Sequence, residues 1–158
     1  MPSAAPGDGQ AKMNSSQIQI VMPPHVNGSG RLFGGQLVAW IDVTAAVIAR
    51  RHSRHQVTTV AIDNLVFMGP AFLDEIVRLD AAVTWTGRTS LEVRVDSFVE
   101  SISGNERLIN RAYLVFVALD DDGKPAAIPP FVPVTDEEKK EWDEAEIRRE
   151  IRLAVKKW

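Results

Sequence analysis

Asp42 is the residue of this chain whose surroundings point most directly to chemistry. It lies between Ile41 and Val43, inside the longest apolar stretch of the sequence, residues 37–49. A carboxylate in such surroundings is unfavourable unless it is paired, hydrogen-bonded or protonated. Two interpretations follow. In the first, Asp42 belongs to one polar stripe of a helix, which faces solvent or a subunit boundary. In the second, Asp42 faces a pocket where burial tunes its basicity for proton transfer.

Glycines lead into the same apolar stretch, at Gly28, at Gly30 and as the pair Gly34–Gly35. Glycine lets a ligand approach the backbone closely, and the free N–H groups at a helix start stabilise negative charge, such as a developing oxyanion. Gly35 and Asp42 are seven residues apart, which is about two helical turns and therefore one face. That spacing is compatible with one pocket. The alternative is a plain flexible loop before a helix.

Several other chemistries find no support in the sequence. The absence of cysteine excludes disulfides, thiolate nucleophiles and cysteine-based zinc sites. The chain also lacks a Gly-x-Ser-x-Gly elbow, a Walker motif, a dinucleotide fingerprint and a histidine pair spaced for zinc. We therefore expect no metal site. A structural role is favoured for His25, although it precedes the glycine-rich loop, and His52 and His55 are expected to cap the helix or to be solvated.

Composition narrows the class of protein. With 158 residues, of which 45% are hydrophobic and 25% charged, the chain suits one soluble globular domain. A net charge of -3 disfavours a nucleic-acid-binding protein but is compatible with a local basic patch for phosphates. The N-terminus lacks the pattern of a secretory signal, and the apolar stretch is shorter than the roughly 20 residues that span a bilayer. We expect a cytoplasmic protein without membrane insertion.

Hydrophobic periodicity predicts the order of the elements. Residues 1–13 have almost nothing to bury and are predicted to be a disordered tail. Residues 17–22 alternate as a first strand, and residues 34–51 form a helix that is apolar on nearly every face, which is typical of a buried helix. Residues 57–119 predict four strands with short connections, and hairpins join the later strands. The strand at 111–119 is the most hydrophobic and is expected to be central.

The C-terminal part predicts one more helix, over residues 135–158. Thr135 and Glu138 form a capping box at its start. A stripe at helical spacing is expected to pack either on the body or on a partner chain: Trp142, Ile147, Ile151, Ala154 and Trp158. The sequence therefore predicts an α+β domain over residues 14–134, with one antiparallel sheet of about five strands wrapped around one long buried helix, followed by a C-terminal helix.

Several stretches together resemble the hotdog-fold acyl-CoA thioesterases, in the group that holds bacterial acyl-CoA hydrolases and cytosolic brain-type acyl-CoA hydrolases. The resemblance covers roughly residues 14–142 and rests on short motifs in one order and spacing. These are NGSGRLFGG at 27–35, WID at 40–42, DNLVFMGP at 63–70, GRTS at 87–90, VFVA at 115–118 and VPVTDEEK at 132–139.

The resemblance implies a hotdog fold, hydrolysis of acyl-CoA to a free fatty acid and coenzyme A, and roles for particular residues. Asp42 stands where the family has its catalytic carboxylate, which activates water or attacks the thioester directly. Asn27 stands where an asparagine positions the water or the thioester. The backbone N–H of Gly35, with that of Gly34, would hold the thioester oxygen. The coenzyme A end would meet the turn formed by Arg88, Thr89 and Ser90.

The resemblance also implies partners. Hotdog domains of this group pair into homodimers by joining their sheets, with the active site between subunits, and we expect a trimer of dimers. Asn27 of one chain would then meet Asp42 of the other. No cofactor is expected, because coenzyme A is part of the substrate and product.

Two alternatives stay open at this stage. A hotdog dehydratase or hydratase would resemble a different pattern, with a histidine paired with a carboxylate. A non-catalytic acyl-CoA-binding sensor would be supported by a helix-turn-helix segment, for which this chain has no room.

Overall fold

The computed structural model describes residues 14–156. Within this range five strands, two long helices and one short 3-10 turn follow in chain order. They are β1 (Asn14–Ile20), the 3-10 turn (Pro23–His25), α1 (Gly34–Ser53), β2 (Gln56–Phe67), β3 (Ile76–Thr86), β4 (Ser90–Glu100), β5 (Glu106–Leu119) and α2 (Asp136–Val155). The tail predicted at 1–13 lies outside the described residues, as does Trp158.

The strands form one antiparallel sheet in the order β1-β3-β4-β5-β2. Both edge strands flank α1 in the sequence, so the helix connects one edge of the sheet to the other and the sheet curls around it. The predicted sheet around a helix is confirmed. One detail is wrong: β4 is the middle strand, whereas β5, which contains residues 111–119, lies between β4 and the edge strand β2.

Both ends of α1 follow from local chemistry. Phe33 is extended at the N-cap, and its carbonyl accepts the N–H groups of Gln36 and Leu37. At the other end Arg54 adopts a left-handed φ of 60° and its N–H donates to the carbonyl of Arg50. Basic residues in the last turn suit the negative pole of the helix dipole. The helix therefore ends two residues later than predicted.

One face of α1 packs on the sheet, and the opposite face is uncovered in the single chain. Ile41 and Ala45 are fully buried, whereas Val43 is 54% exposed and Val47 is 36% exposed. With Ala39 they form an apolar stripe at i, i+4 and i+8. The prediction of burial on every face is therefore wrong for one chain, because a curled sheet can cover only one side of a helix.

The C-terminal helix α2 lies on the face of the sheet opposite α1. Thr135 caps it, since its hydroxyl accepts the N–H of Glu138, and the predicted capping box is confirmed. Ala145 is the buried residue of this helix. The Arg148 guanidinium donates to both carboxylate oxygens of Glu92, which strand alternation places on this face.

The apolar stripe predicted along α2 is only partly packed on its own chain. The Trp142 ring lies 6.0 Å from that of Trp85. Ile147 and Ile151, however, are 56% and 60% exposed, and Ala154 is exposed as well. Trp142 and the ion pairs of Arg148 and Arg152 thus attach α2 to the sheet, whereas the other described residues of the stripe are uncovered. No helix within residues 14–156 is long and apolar enough to cross a membrane.

Candidate active site

Asp42 lies on the side of α1 that faces the edge strand β2. Its side chain is half-buried, and its Oδ1 accepts a hydrogen bond of 2.6 Å from the Thr59 hydroxyl. Among residues 14–156 no hydrogen bond engages Oδ2. The carboxylate is therefore held by one oxygen and free to act with the other. The partial burial and the hydrogen bond of this carboxylate argue against a fully open solvent face.

A register shift in β2 puts Thr59 and Asp63 on opposite faces of the sheet. Thr59 pairs with Phe116, and the next ladder pair joins Ala61 to Val115, so Val60 is an extra residue. Such a bulge bends the strand locally and re-aims its side chains. Thr59 thus lies on the face of the sheet that meets α1, while Asp63, farther along the strand, pairs with Arg152 of α2 on the opposite face.

The N-terminus of α1 presents two backbone N–H groups without a partner. The N–H groups of Gln36 and Leu37 donate to Phe33, but within the described residues those of Gly34 and Gly35 have no hydrogen-bond acceptor. The apolar side chain of Phe33 at the N-cap cannot accept a hydrogen bond from either N–H group. Free N–H groups at the positive pole of a helix bind anionic oxygen. The two N–H groups are therefore available to a ligand, and their role in holding a thioester oxygen stays a prediction.

Asn27 lies in the loop before α1, and the loop itself fixes its amide group. The Oδ1 atom accepts hydrogen bonds from the Ser29 N–H at 3.0 Å, the Ser29 hydroxyl at 2.7 Å and the Arg31 N–H at 3.3 Å. Gly30, at a φ of 73°, completes the turn in a conformation that favours glycine. With Oδ1 fully used, what Asn27 offers to a ligand is its Nδ2 donor.

The turn that contains Arg88, Thr89 and Ser90 joins β3 to β4. The carbonyl groups of Arg88 and Thr89 accept the N–H groups of Ile128 and Ala118, so the backbone of the turn is anchored while the Arg88 side chain is exposed. An exposed arginine next to two hydroxyls is suited to phosphate oxygens.

A single chain does not bring all the predicted residues together. Gly35 and Asp42 share one face of α1, yet seven residues separate them by about 10 Å along the helix, more than one water molecule can bridge. The turn at 88–90 follows the C-terminal end of β3, whereas Asn27 lies near its start, where Ile20 pairs with Ile76. The two features therefore lie toward opposite ends of β3, whose 11 residues extend over about 30 Å of strand.

Comparison with known proteins decides the family. The profile of the thioesterase superfamily matches residues 29–103. The uncharacterized acyl-CoA thioester hydrolase YkhA of Bacillus subtilis is 40% identical over 75% of this chain and 69% of its own length. The chain belongs to the thioesterase superfamily. Acyl-coenzyme A thioesterase 11 of mouse is 33% identical over 90% of this thioesterase chain, which spans only 24% of the mouse protein.

Solved structures of thioesterases share the fold. An apo-hexameric acyl-CoA thioesterase superimposes with a TM-score of 0.86 at 36% identity, over 90% of this chain and 92% of its own. An acyl-CoA hydrolase of Staphylococcus aureus, solved with butyryl coenzyme A, coenzyme A and coenzyme A disulfide, gives 0.84 at 35% identity, over 90% and 88% of the two chains. The predicted hotdog fold is confirmed. Other structures of the staphylococcal enzyme carry alanine in place of an aspartate, a threonine or an asparagine.

Thr59 is the residue of this thioesterase site that sequence reasoning missed. A threonine in a strand ordinarily indicates β-propensity and nothing more. Its partner Asp42 is 17 residues away and on another element. The available signal was the consecutive pair Thr58–Thr59 in an otherwise apolar strand, but the sequence does not tell which of the two faces the helix.

Two histidines of the thioesterase, His25 and His52, have structural side-chain contacts. The His25 Nδ1 accepts the Met22 N–H at 3.0 Å, and its ring meets Trp40 edge-on at 4.9 Å, which fastens the Asn27 loop to α1. His52 is buried, not solvated, and bonds the carbonyl of Pro129 at 2.8 Å. Within residues 14–156 no cluster of histidine and acidic side chains could hold a metal ion.

Proposed function

We propose that this chain is an acyl-CoA thioesterase that hydrolyses acyl-CoA to a free fatty acid and coenzyme A. The observation that carries this proposal is the Asp42 carboxylate, held by the Thr59 hydroxyl on a helix whose N-terminus has two free N–H groups. The names of its relatives, acyl-CoA thioester hydrolase and acyl-coenzyme A thioesterase, agree with it.

The thioester carbonyl oxygen binds at the N-terminus of α1, where the Gly35 N–H and the Gly34 N–H donate to it. Attack on the carbonyl carbon turns this oxygen into an oxyanion, so donors that are already oriented stabilise the transition state more than the substrate. The Asn27 Nδ2 donates to the same oxygen or to the attacking water. It is well suited to this because its Oδ1 is occupied within the loop.

Asp42 acts as the general base through its free Oδ2. It takes a proton from water, which attacks the thioester, and the tetrahedral intermediate collapses with loss of coenzyme A thiolate. A thiol with a pKa of about 8.5 leaves readily, so no strong general acid is required. The reaction needs no cofactor, because coenzyme A is part of the substrate and of the product.

The complete site forms between two chains. The separation of Gly35 from Asp42 within one helix favours a site in which Asn27 and Gly35 of one chain meet Asp42 of another. The exposed stripe of Ala39, Val43 and Val47 on α1, beside the edge strand β2, provides an apolar surface for that pairing. Since a related thioesterase is hexameric, we propose a homodimer that assembles into a trimer of dimers.

The turn with Arg88, Thr89 and Ser90 binds the nucleotide and phosphate end of coenzyme A. Its distance from Asn27 in one chain favours contribution of this turn by a different subunit from the one that holds the thioester oxygen. We place the enzyme in the cytoplasm and in fatty acid metabolism, in agreement with the sequence expectation.

Thiol release from a panel of acyl-CoA esters, from acetyl to palmitoyl, tests the function, with Asp42→Asn beside the wild type. We expect release by the wild type and a loss of about 100-fold or more in the variant, with coenzyme A binding retained. Lys140→Ala, which alters only an exposed side chain of α2, serves as control. Tight binding of the whole panel without release would instead identify an acyl-CoA sensor.

A further inference from the structure

Each of the two glycines at the start of α1 lies against an exposed phenyl ring. A Cβ added to Gly35 would lie 2.6 Å from Cε1 of Phe33, and one added to Gly34 would lie 3.4 Å from Cζ of Phe67. The ring of Phe33 therefore occupies the space that a side chain at position 35 would need. These are the same two glycines whose N–H groups have no partner within the described chain.

The two rings are exposed although their backbones are anchored. Phe33 and Phe67 are 60% and 49% exposed. The Phe33 N–H donates to the carbonyl of His25 at 2.8 Å. The neighbours of Phe67 are fixed too: the Asn110 side chain donates to the carbonyl of Val66 at 2.8 Å, and the Met68 N–H donates to Ile109 at 2.8 Å. Large apolar groups held in fixed places on a surface are typical of a binding surface.

We propose that Phe33 and Phe67 determine acyl specificity by contacting the first carbons of the acyl chain and selecting unbranched acyl groups. This inference rests on the proposed function. A carbonyl oxygen that accepts the Gly34 and Gly35 N–H groups lies within hydrogen-bond distance of these glycines, and the two phenyl rings lie against the same glycines. The carbons next to that carbonyl are then beside the rings.

The flat face of a phenyl ring accommodates a linear methylene chain but not a branch at the α-carbon. A methyl branch would displace a ring, and the anchored backbones leave only side-chain rotation to make room. Phe33 has little freedom on the helix side, because its ring already contacts Gly35. A branch that fits poorly costs about tenfold or more in kcat/KM, the usual effect of one misplaced carbon in an apolar pocket.

The test compares butyryl-CoA with 2-methylpropanoyl-CoA, which have the same number of carbons. The kcat/KM ratio of linear to branched ester is measured for the wild type, Phe33→Ala, Phe67→Ala and Phe67→Leu. Phe98→Ala is the matched control, since the Phe98 ring lies under the Arg78 guanidinium on the other face of the sheet. Circular dichroism and oligomeric mass are recorded for each variant, so that a change in assembly is not taken for a change in specificity.

We expect the wild type to prefer the linear ester by about tenfold or more, and the ratio to fall several-fold in at least one alanine variant but not in Phe98→Ala. Equal rates for both esters in the wild type would overturn the inference without needing any variant. An unchanged ratio in folded Phe33→Ala and Phe67→Ala would overturn it as well. In both cases the wild type still hydrolyses thioesters. Failure of the proposed function is a distinct result, in which the wild type releases no thiol from any ester.

Discussion

The Thr59 hydroxyl donates a hydrogen bond of 2.6 Å to the Asp42 carboxylate and so joins the edge strand β2 to the helix α1. Threonine suits this contact, because its β-branched side chain has few rotamers and its hydroxyl is held in one direction. The bond leaves Oδ2 of Asp42 for a water molecule. The contact therefore sets the direction in which the carboxylate acts.

Removing the Thr59 hydroxyl should lower turnover more than it weakens substrate binding. In Thr59→Val the shape of the side chain is kept but the donor is lost, and we expect kcat to fall about tenfold or more, with a small change in KM. Thr59→Ser keeps the donor and should retain most of kcat. Steady-state kinetics with butyryl-CoA measure both, and a Thr59→Val enzyme with the kcat of the wild type would contradict the role given to this bond.

Asn27 should act through its Nδ2 donor rather than its Oδ1 acceptor. Asn27→Asp keeps the acceptor that binds Ser29 and Arg31, so the loop should survive, but the donor is replaced by an anionic oxygen. We expect a loss of about 100-fold in kcat/KM, the usual effect of removing one oxyanion donor. The unfolding temperature should stay near that of the wild type. If Asn27→Asp kept full activity while Asn27→Ala lost it, Asn27 would serve only to shape the loop.

The Glu92–Arg148 pair should contribute strongly to the stability of the C-terminal helix. The Glu92 side chain is 1% exposed and that of Arg148 is 13% exposed, and the closest ion-pair distance is 2.8 Å. Truncation in Arg148→Ala leaves a buried carboxylate without its main partner, which should lower the free energy of unfolding by about 3 kcal/mol or more. Denaturant unfolding measures this loss.

Lys140→Ala is the control for that measurement. Its ammonium lies 3.9 Å from Glu144 on the same helix, and its side chain is 77% exposed. Removal of such a surface pair should change the free energy of unfolding by less than about 0.5 kcal/mol. A similar small change in Arg148→Ala would mean that the buried pair does not hold α2 on the sheet.

Tyr113 should titrate above the usual range of a tyrosine. Burial raises the pKa of Tyr113, and the nearby Glu141 carboxylate raises it further. Because the folded-state pKa exceeds the unfolded value of about 10, the stability linked to this group is fully present below that pH. It is lost as the pH rises through the folded-state pKa. Tyr113 is the sole tyrosine, so the ultraviolet absorbance of its phenolate follows the titration directly.

The variant Tyr113→Phe provides the comparison. As the pH rises into the alkaline range, the free energy of unfolding of this variant should fall less than that of the wild type, because the variant has no phenol to titrate at this position. The explanation would fail if the phenolate of the wild type appeared at or below the pH expected for an exposed tyrosine.

The sequence by itself determined those features that depend on neighbouring residues. The two glycines before an apolar run predicted the start of α1 and its free N–H groups, because backbone freedom and unpaired donors are local properties. Thr135 and Glu138 predicted the capping box for the same reason. Alternation predicted the strands, since a sheet with one buried face imposes a period of two. An acidic residue inside an apolar helix marked Asp42 without any knowledge of its partner.

Only the tertiary structure decided which distant side chains meet. Thr59 meets Asp42 on one face of the sheet, whereas Asp63 lies on the opposite face because a bulge at Val60 changes the register of β2, and no local pattern encodes that shift. The order of the strands placed β4 in the middle, and buried ion pairs joined Trp142, the one packed member of the predicted stripe among the described residues, in attaching α2 to the sheet. The exposed face of α1 is the clearest case. Periodicity showed an apolar helix, but how much of it one curled sheet can cover is a matter of three-dimensional packing.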